Sequence, residues 1–307
     1  MCSTWRQRFY GEDEENRITR PFTGKVRILA IALNYEGTES PLGCIVDAEG
    51  VCEIARRAGV KDITAMFDNG STEGYPCKDE VLAAIQAIAG RCKSKDYFVL
   101  FYSGHGSNQK NEGAESGVDS ILCLREKGSG EMQDMVDDEL AAVISESFNP
   151  NVKVLVLADA CCSGGVLDCD TPGIWSHRKV CAISGCQETQ CSVDTGNGGV
   201  MTNALLEVLR KRRVKHRRRA GTASVQYIFN RMVILTEEED DDEDAEEEEE
   251  EGESGEDEEG EEGEDEEDEE DEEEEIDPIT GEVPDPGQDI NLSWPGSCDP
   301  SKIPFPF

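Results

Sequence analysis

The amino-acid sequence predicts an α/β fold in which helices cover both faces of a mostly parallel central sheet. Two observations carry this prediction. Short apolar runs of strand length alternate along the chain with segments whose apolar residues recur at helical spacing. The runs are apolar at nearly every position, which is typical of parallel strands that are buried on both faces.

Each predicted element has a boundary signal of its own. Acidic residues open two of the helical segments, where the helix dipole favours negative charge, and a glycine closes the first. The predicted strands are 25–33, 63–67, 96–104, 152–160 and 178–186, and the predicted helices are 44–59, 78–92, 137–148, 199–213 and 222–235.

The charge of the chain is concentrated in one block. Of the 39 residues in Glu237–Glu275, 33 are acidic, and removing them from the formal charge of −40 leaves −7 for the rest. Such a segment cannot bury apolar surface, so a disordered acidic insertion is predicted over 236–282. Three roles stay open for it: binding of basic proteins, weak collection of Ca²⁺, and masking of basic substrates.

Cysteine usage and the absence of targeting signals favour a reducing, cytoplasmic compartment. The 13 cysteines include no C-x-x-C pair, the predicted leader 1–24 has no apolar core of signal-peptide length, and no apolar run is long enough to span a bilayer. The basic run Arg210–Arg219 allows three readings, namely a nuclear localisation signal, a self-cleavage site, or an internal partner for the acidic block.

Polar residues with catalytic potential follow two of the predicted strands. His105 comes after strand 96–104, and Cys161 comes after strand 152–160. Because ligands of open α/β sheets bind beyond the carboxyl ends of the strands, we expect these two side chains at one edge. A thiol with an imidazole partner is the machinery of a cysteine hydrolase. The alternative is that Cys161 and Cys162 are packed apolar thiols and that His105 is structural.

The sequence around these two residues resembles a known family. "FYSGHG" followed by "LADACCSGG" is similar to the paired motifs of metacaspases, the caspase-like cysteine peptidases, with a type I-like catalytic domain. The resemblance continues in "SPLGCIVDA", "AISGCQETQCSVDT" and "GGVMTNALLEVL", and it spans about 25–235. It implies a caspase-like α/β/α sandwich, with Cys161 as nucleophile, His105 as its partner, and the backbone N–H groups of Gly106 and Cys161 as the oxyanion hole.

The resemblance also implies a substrate preference. It assigns the S1 pocket for the side chain before the cleaved bond to Cys44, Asp47, Ser103 and Asp159. Two carboxylates in a cleft pair with a guanidinium and repel an acidic side chain. We therefore expect cleavage of proteins or peptides after Arg or Lys and not after Asp. We also expect a monomer, with neither a membrane nor a nucleic acid as partner.

A Ca²⁺ site is implied by the same resemblance. Its ligands would be Asp119, Asp137, Asp138 and Asp168, and carboxylate oxygens are the donors that Ca²⁺ prefers. The alternative for Asp137 and Asp138 is that they simply stabilise the start of a helix.

The segment 283–307 follows the acidic block. Its "QDINLS" resembles the final strand of the caspase-like domain. We therefore expect 283–307 to supply the last strand of a peptidase domain whose main part is 25–235. Two rival functions stay open. One is an idle caspase-like scaffold whose acidic tract binds basic proteins; the other is a thiol-rich metal-binding protein, although its cysteines lack ligand spacing.

Overall fold

The computed structural model describes residues 22–111, 117–169, 173–187, 190, 198–216, 223–236 and 288–307. The predictions for the leader, for the acidic insertion and for the last part of the basic run lie wholly or mostly outside these residues. No helix in the part of the chain that the structure describes is long and apolar enough to cross a membrane.

The described residues form nine strands and five helices. The strands are β1 (Val26–Ala32), β2 (Asp62–Phe67), β3 (Tyr97–Ser103), β4 (Gly106–Lys110), β5 (Val118–Arg125), β6 (Met132–Val136), β7 (Lys153–Asp159), β8 (Lys179–Ser184) and β9 (Asn291–Ser293). The helices are α1 (Ile45–Arg57), α2 (Lys78–Ala89), α3 (Asp137–Ser147), α4 (Val200–His216) and α5 (225–236).

Six strands make the central sheet in the order β2-β1-β3-β7-β8-β9. All neighbours pair in parallel except β9, which pairs antiparallel with β8. In the register of β3 and β7, Ser103 lies opposite Asp159, so both strands end at the same level. The loops that follow them therefore leave the same edge of the sheet side by side.

Helices cover both faces of this sheet. Alternate residues of β3 point to opposite sides: Val99 and Phe101 pack in the core under α1, α4 and α5, whereas Phe98 and Leu100 pack in the core under α2 and α3. Continuous apolar strands are needed for this arrangement because each face buries its own set of side chains. The predicted α/β/α architecture with a mostly parallel sheet is confirmed.

A second sheet was not predicted. Strands β4, β5 and β6, which lie between β3 and α3 in the sequence, form a separate antiparallel sheet. Strand β4 begins directly after His105. Helix α4 also runs to His216, three residues beyond its predicted end. The first seven residues of the basic run Arg210–Arg219 are therefore helical.

Candidate active site

The loops after β3 and β7 lie against one another. The N–H of Gly104 donates to the carbonyl of Asp159 at 3.2 Å. Two residues later, a β-carbon on Gly106 would overlap the carbonyl oxygen of Cys161. Only glycine permits this approach, and His105 is the residue between the two glycines. The structure thus brings His105 and Cys161 to neighbouring loops at the carboxyl edge of the sheet.

The imidazole of His105 has a defined hydrogen-bond partner. Its Nε2 lies 2.7 Å from the carbonyl oxygen of Ser40, in the loop after β1. A carbonyl oxygen can only accept, so Nε2 carries a proton and donates it. Nδ1 is therefore the nitrogen that can take up a proton from another group, and the bond to Ser40 fixes the tautomer of the imidazole.

The cysteine pair stands in a tight turn after β7. Cys162 adopts the left-handed backbone conformation with φ of 52°, and its N–H donates to the carbonyl of Gln190 at 3.0 Å. The hydroxyl of Ser163 donates to the carbonyl of Ala160 at 2.7 Å. This turn holds Cys161 at its apex, half-buried, while the next residues form the 3-10 turn Ser163–Gly165.

Two other thiols, those of Cys123 and Cys186, lie near Cys161 but are not nucleophilic at neutral pH. Burial is the main reason that the pKa of Cys123 and the pKa of Cys186 are each raised to about 12. Both thiols therefore stay protonated at neutral pH, and the thiolate is the nucleophilic form. Cys161, by contrast, is partly exposed and can meet a reagent.

The residues predicted for the S1 pocket lie together near the carboxyl edge of the central sheet. The hydroxyl of Ser103 donates to Asp47 Oδ2 at 2.7 Å, and Cys44 caps the helix α1 that carries Asp47. The N–H of Thr202, at the start of α4, donates to Asp159 Oδ2 at 2.8 Å. The exposed fractions of Asp47 and Asp159 are only 2% and 4%, so both carboxylates sit at the base of the site.

A pair of glycines that the sequence analysis did not single out packs on these carboxylates. A β-carbon on Gly198 would overlap Asp47, and one on Gly199 would overlap Asp159. The N–H of Gly199 also donates to Asp47 Oδ2 at 3.2 Å. The signal in the sequence is the double glycine directly before a helix, where free N–H groups favour negative charge.

The four predicted Ca²⁺ ligands form a cluster of acids beside the turn. Burial, and after it the charges of neighbouring acids that include Asp119 and Asp138, raise the pKa of Asp137 and the pKa of Asp168 to about 7. Asp137 accepts from the N–H of Ser120 at 2.6 Å. Asp168 has a left-handed backbone, and its Oδ2 is buried without a hydrogen-bond partner.

The donor chemistry of this cluster suits a hard divalent cation, and the orphaned oxygen of Asp168 is a polar atom that an ion would satisfy. The positions of the four side chains fit a metal ion less well than their chemistry does. Among the described residues, no three His, Cys, Asp or Glu side chains converge on a point at which a metal ion could be held. The side chain of Asp119 instead accepts from Gln109 and Asn111.

The remaining histidines are placed differently. His177 is exposed in the loop before β8, and His216 is the last residue of α4.

Comparison with known proteins finds similar sequences. Residues 26–170 match the family model described as metacaspase, peptidase C14 domain. The chain is 28% identical over 222 residues to metacaspase-1 of Arabidopsis thaliana, covering 61% of this chain and 60% of that protein. It is 31% identical over 166 residues to metacaspase-1A of Neurospora crassa, covering 52% of this chain and 36% of that protein. The matched parts thus span between about a third and three fifths of these relatives.

A solved structure shares the fold. The crystal structure of protein GSU0716 from Geobacter sulfurreducens superposes with a TM-score of 0.51 at 25% sequence identity, covering 69% of this chain and 89% of that one.

Proposed function

We propose that the protein is a cysteine endopeptidase that cleaves after Arg or Lys, a proposal supported by the match of residues 26–170 to the metacaspase, peptidase C14 family model. The observation that carries the proposal is the contact of the His105 and Cys161 loops through Gly106. An imidazole bonded to Ser40 and a partly exposed thiol then lie on neighbouring loops, and nucleophilic catalysis needs these two groups together.

The proposed reaction has two steps. The Cys161 thiol transfers its proton to Nδ1 of His105, and its sulfur attacks the carbonyl carbon of the peptide bond. Backbone N–H groups of Gly106 and Cys161 hold the resulting oxyanion. The bond to nitrogen then breaks as the imidazolium gives its proton to the leaving amine, and water hydrolyses the thioester to release the acid and restore the thiol.

The preference for basic side chains rests on Asp47 and Asp159. A guanidinium is matched by two carboxylates, whereas an aspartate would meet like charge with no cation to compensate. Both carboxylates are held by N–H groups at the start of α4, which fixes their positions. Because they are buried under Gly198 and Gly199, substrate entry in this proposal requires the glycine pair to move aside.

Ca²⁺ activation is the second part of the proposal. Asp119, Asp137, Asp138 and Asp168 would supply the ligands, and the bound ion would neutralise their mutual repulsion. The cluster is connected to the catalytic turn, since the N–H of Gly165 donates to the hydroxyl of Ser120, whose own N–H donates to Asp137. An ordered cluster would thereby steady the turn that holds Cys161.

The proposal includes a role for the acidic tract Glu237–Glu275. With 33 acidic residues it would attract basic proteins at low ionic strength and raise their concentration near the peptidase domain.

The test is hydrolysis of fluorogenic peptides that differ only in an Arg, Lys or Asp before the cleaved bond. Each is assayed with Ca²⁺ and with a chelator. We expect turnover of the Arg and Lys peptides only, loss of that turnover in Cys161→Ala and His105→Ala, and its retention in the matched control Cys162→Ser. Equal turnover by Cys161→Ala and the unmodified protein would show that Cys161 is not the nucleophile, and no turnover by the unmodified protein under any of these conditions would favour the alternative of an idle site.

A further inference from the structure

Two buried tyrosines hold the main-chain N–H and the main-chain carbonyl of His105. The N–H of His105 donates to the hydroxyl of Tyr35 at 2.9 Å, and the hydroxyl of Tyr102 donates to the carbonyl of His105 at 2.8 Å. The Tyr35 hydroxyl in turn donates to the carbonyl of Cys123 at 2.6 Å. The backbone of the histidine is thus fixed from two sides by groups with no exposure to solvent.

Tyr35 also contacts the imidazole itself. The centroids of the two rings are 4.4 Å apart, and their planes are inclined by 47°. Since Ser40 of the same loop accepts from Nε2, the loop after β1 touches His105 at the backbone, at the ring face and at one ring nitrogen. Together these three contacts determine where Nδ1 points.

The backbone of Tyr35 is strained. Its φ is 51°, a left-handed conformation that bulky side chains rarely adopt. Asp68 holds it there, because its Oδ2 accepts from the N–H of Tyr35 at 2.9 Å and its Oδ1 accepts from the N–H of Asn34 at 2.9 Å. Arg125 pairs with the same carboxylate at 3.4 Å. Strain that neighbouring residues maintain is found most often at functional sites.

The first glycine of "SGHGS" belongs to this arrangement. A β-carbon on Gly104 would lie 2.6 Å from the Tyr35 hydroxyl and 2.8 Å from the Tyr102 hydroxyl, so a side chain there would push the two hydroxyls away. Gly104 therefore admits the tyrosine pair, while Gly106 admits the carbonyl of Cys161.

We propose that Tyr35 is a positioning residue that orients the imidazole of His105 toward Cys161. It acts through the hydroxyl that holds the histidine N–H and through the ring that lies against the imidazole, and it does not touch the substrate. The inference rests on the proposed peptidase function, because it assigns Tyr35 a task in the proton transfer between Cys161 and His105.

The chain offers a matched control for the test. Tyr97 is a fully buried tyrosine on β3 whose hydroxyl has no hydrogen-bond partner. Tyr97→Phe and Tyr35→Phe make the same chemical change at fully buried positions, in the cores on opposite faces of the sheet, but only the second removes a group from His105. Tyr35→Leu removes the ring contact as well. Circular dichroism and melting temperature establish which variants are folded before any rate is compared.

Two readouts decide the proposal. On an Arg peptide we expect Tyr35→Phe to lower kcat about tenfold and Tyr35→Leu about a hundredfold, at unchanged KM, because a catalytic group displaced by about 1 Å loses rates of this order. Tyr97→Phe should match the unmodified protein. The second readout is the rate at which iodoacetamide alkylates Cys161, followed by mass spectrometry of its peptide, and it needs no substrate. Here Tyr35→Phe should fall between the unmodified protein and His105→Ala.

The possible outcomes separate the two proposals. If the unmodified protein cleaves no peptide but Tyr35→Phe still slows alkylation of Cys161, the peptidase proposal fails and the positioning role stands. If folded Tyr35→Phe equals Tyr97→Phe in kcat and in alkylation, Tyr35 is only a core residue and the inference is overturned. Alkylation that is the same with and without His105 also overturns it.

Discussion

The backbone of Gly106 lies against the carbonyl oxygen of Cys161, and no side chain fits between them. This contact joins the loop of the proposed general base to the turn of the proposed nucleophile. It is made by main-chain atoms that follow two neighbouring parallel strands, so its geometry is set by the register of β3 and β7 rather than by side-chain packing.

Gly106→Ala should therefore separate the two loops. We expect kcat/KM on an Arg peptide to fall by about a hundredfold or more, because both the imidazole and the oxyanion N–H shift relative to the thiol. Gly296→Ala is the matched control, since a β-carbon at Gly296 meets nothing within 4 Å. Retention of full activity by Gly106→Ala would mean that the loops do not act together.

The carboxylate of Asp159 should determine affinity for basic substrates. We expect Asp159→Asn to raise KM for an Arg peptide and to lower kcat/KM by about tenfold to a hundredfold, the effect of losing one charge-assisted hydrogen bond. The effect on a peptide with a neutral side chain should be much smaller. Asp79→Asn, at an exposed position on α2, controls for the change in net charge.

An equal loss on basic and neutral peptides would show that Asp159 only stabilises the start of α4, through its bond to Thr202.

The sheet could be predicted because its strands are buried on both faces. β1, β3, β7 and β8 each lie within two residues of the runs that the sequence indicates, since continuous apolar runs leave few other arrangements. β4 was missed because "GSNQK" is polar, largely exposed and without alternation. Its position depends on pairing with β5, a contact between residues that the local pattern does not connect.

The residues of the site also divide into those that the sequence predicts and those that it does not. His105 and Cys161 follow apolar strands, and the rule for parallel sheets places them at one edge. Tyr35 and Gln190 carry no comparable signal. Tyr35 reaches His105 across 70 positions of sequence, and its task depends on a left-handed backbone that Asp68 maintains. Such roles follow from the tertiary arrangement of loops.

The acidic cluster should make stability depend on pH when Ca²⁺ is absent. The folded protein raises the pKa of Asp137 and the pKa of Asp168 from 3.8 to about 7, so both bind protons more tightly when folded than when unfolded. The resulting penalty is absent below about pH 4, grows between about pH 4 and 7, and is complete above pH 7. Ca²⁺ should offset it, because the ion binds the ionised carboxylates of the folded state.

Asp137→Asn tests this dependence. In a chelator at pH 8 we expect it to raise the free energy of unfolding by about 1 kcal/mol, after allowance for solvent screening of a partly exposed cluster, and the melting temperature by about 2–4 °C. The gain should shrink at pH 4, and the stabilisation by Ca²⁺ should be lost. Asp134→Asn, an exposed acid on β6, is the control. If Asp137→Asn is less stable than the unmodified protein at both pH values, the acids of the cluster do not destabilise the folded protein by mutual repulsion.

The segment beyond the acidic block should support the nucleophile through Gln190. The carbonyl of this buried residue accepts from the N–H of Cys162, and its side chain donates to Asp289 Oδ2 at 3.2 Å and accepts from the Asp289 N–H at 3.3 Å. Asp289→Ala leaves a buried amide without its acceptor, which costs about 1–3 kcal/mol of stability or displaces Gln190. We expect kcat on an Arg peptide to fall by about tenfold, because the turn at Cys162 loses the support of Gln190.

Lys302→Ala, which changes an exposed side chain of the same segment, should leave kcat unaltered. The measurements are kcat and KM on the Arg peptide together with melting temperatures of all three proteins. If Asp289→Ala melts earlier but keeps full kcat at a temperature where it is folded, the C-terminal segment contributes only to stability and the turn at Cys161 stands without it.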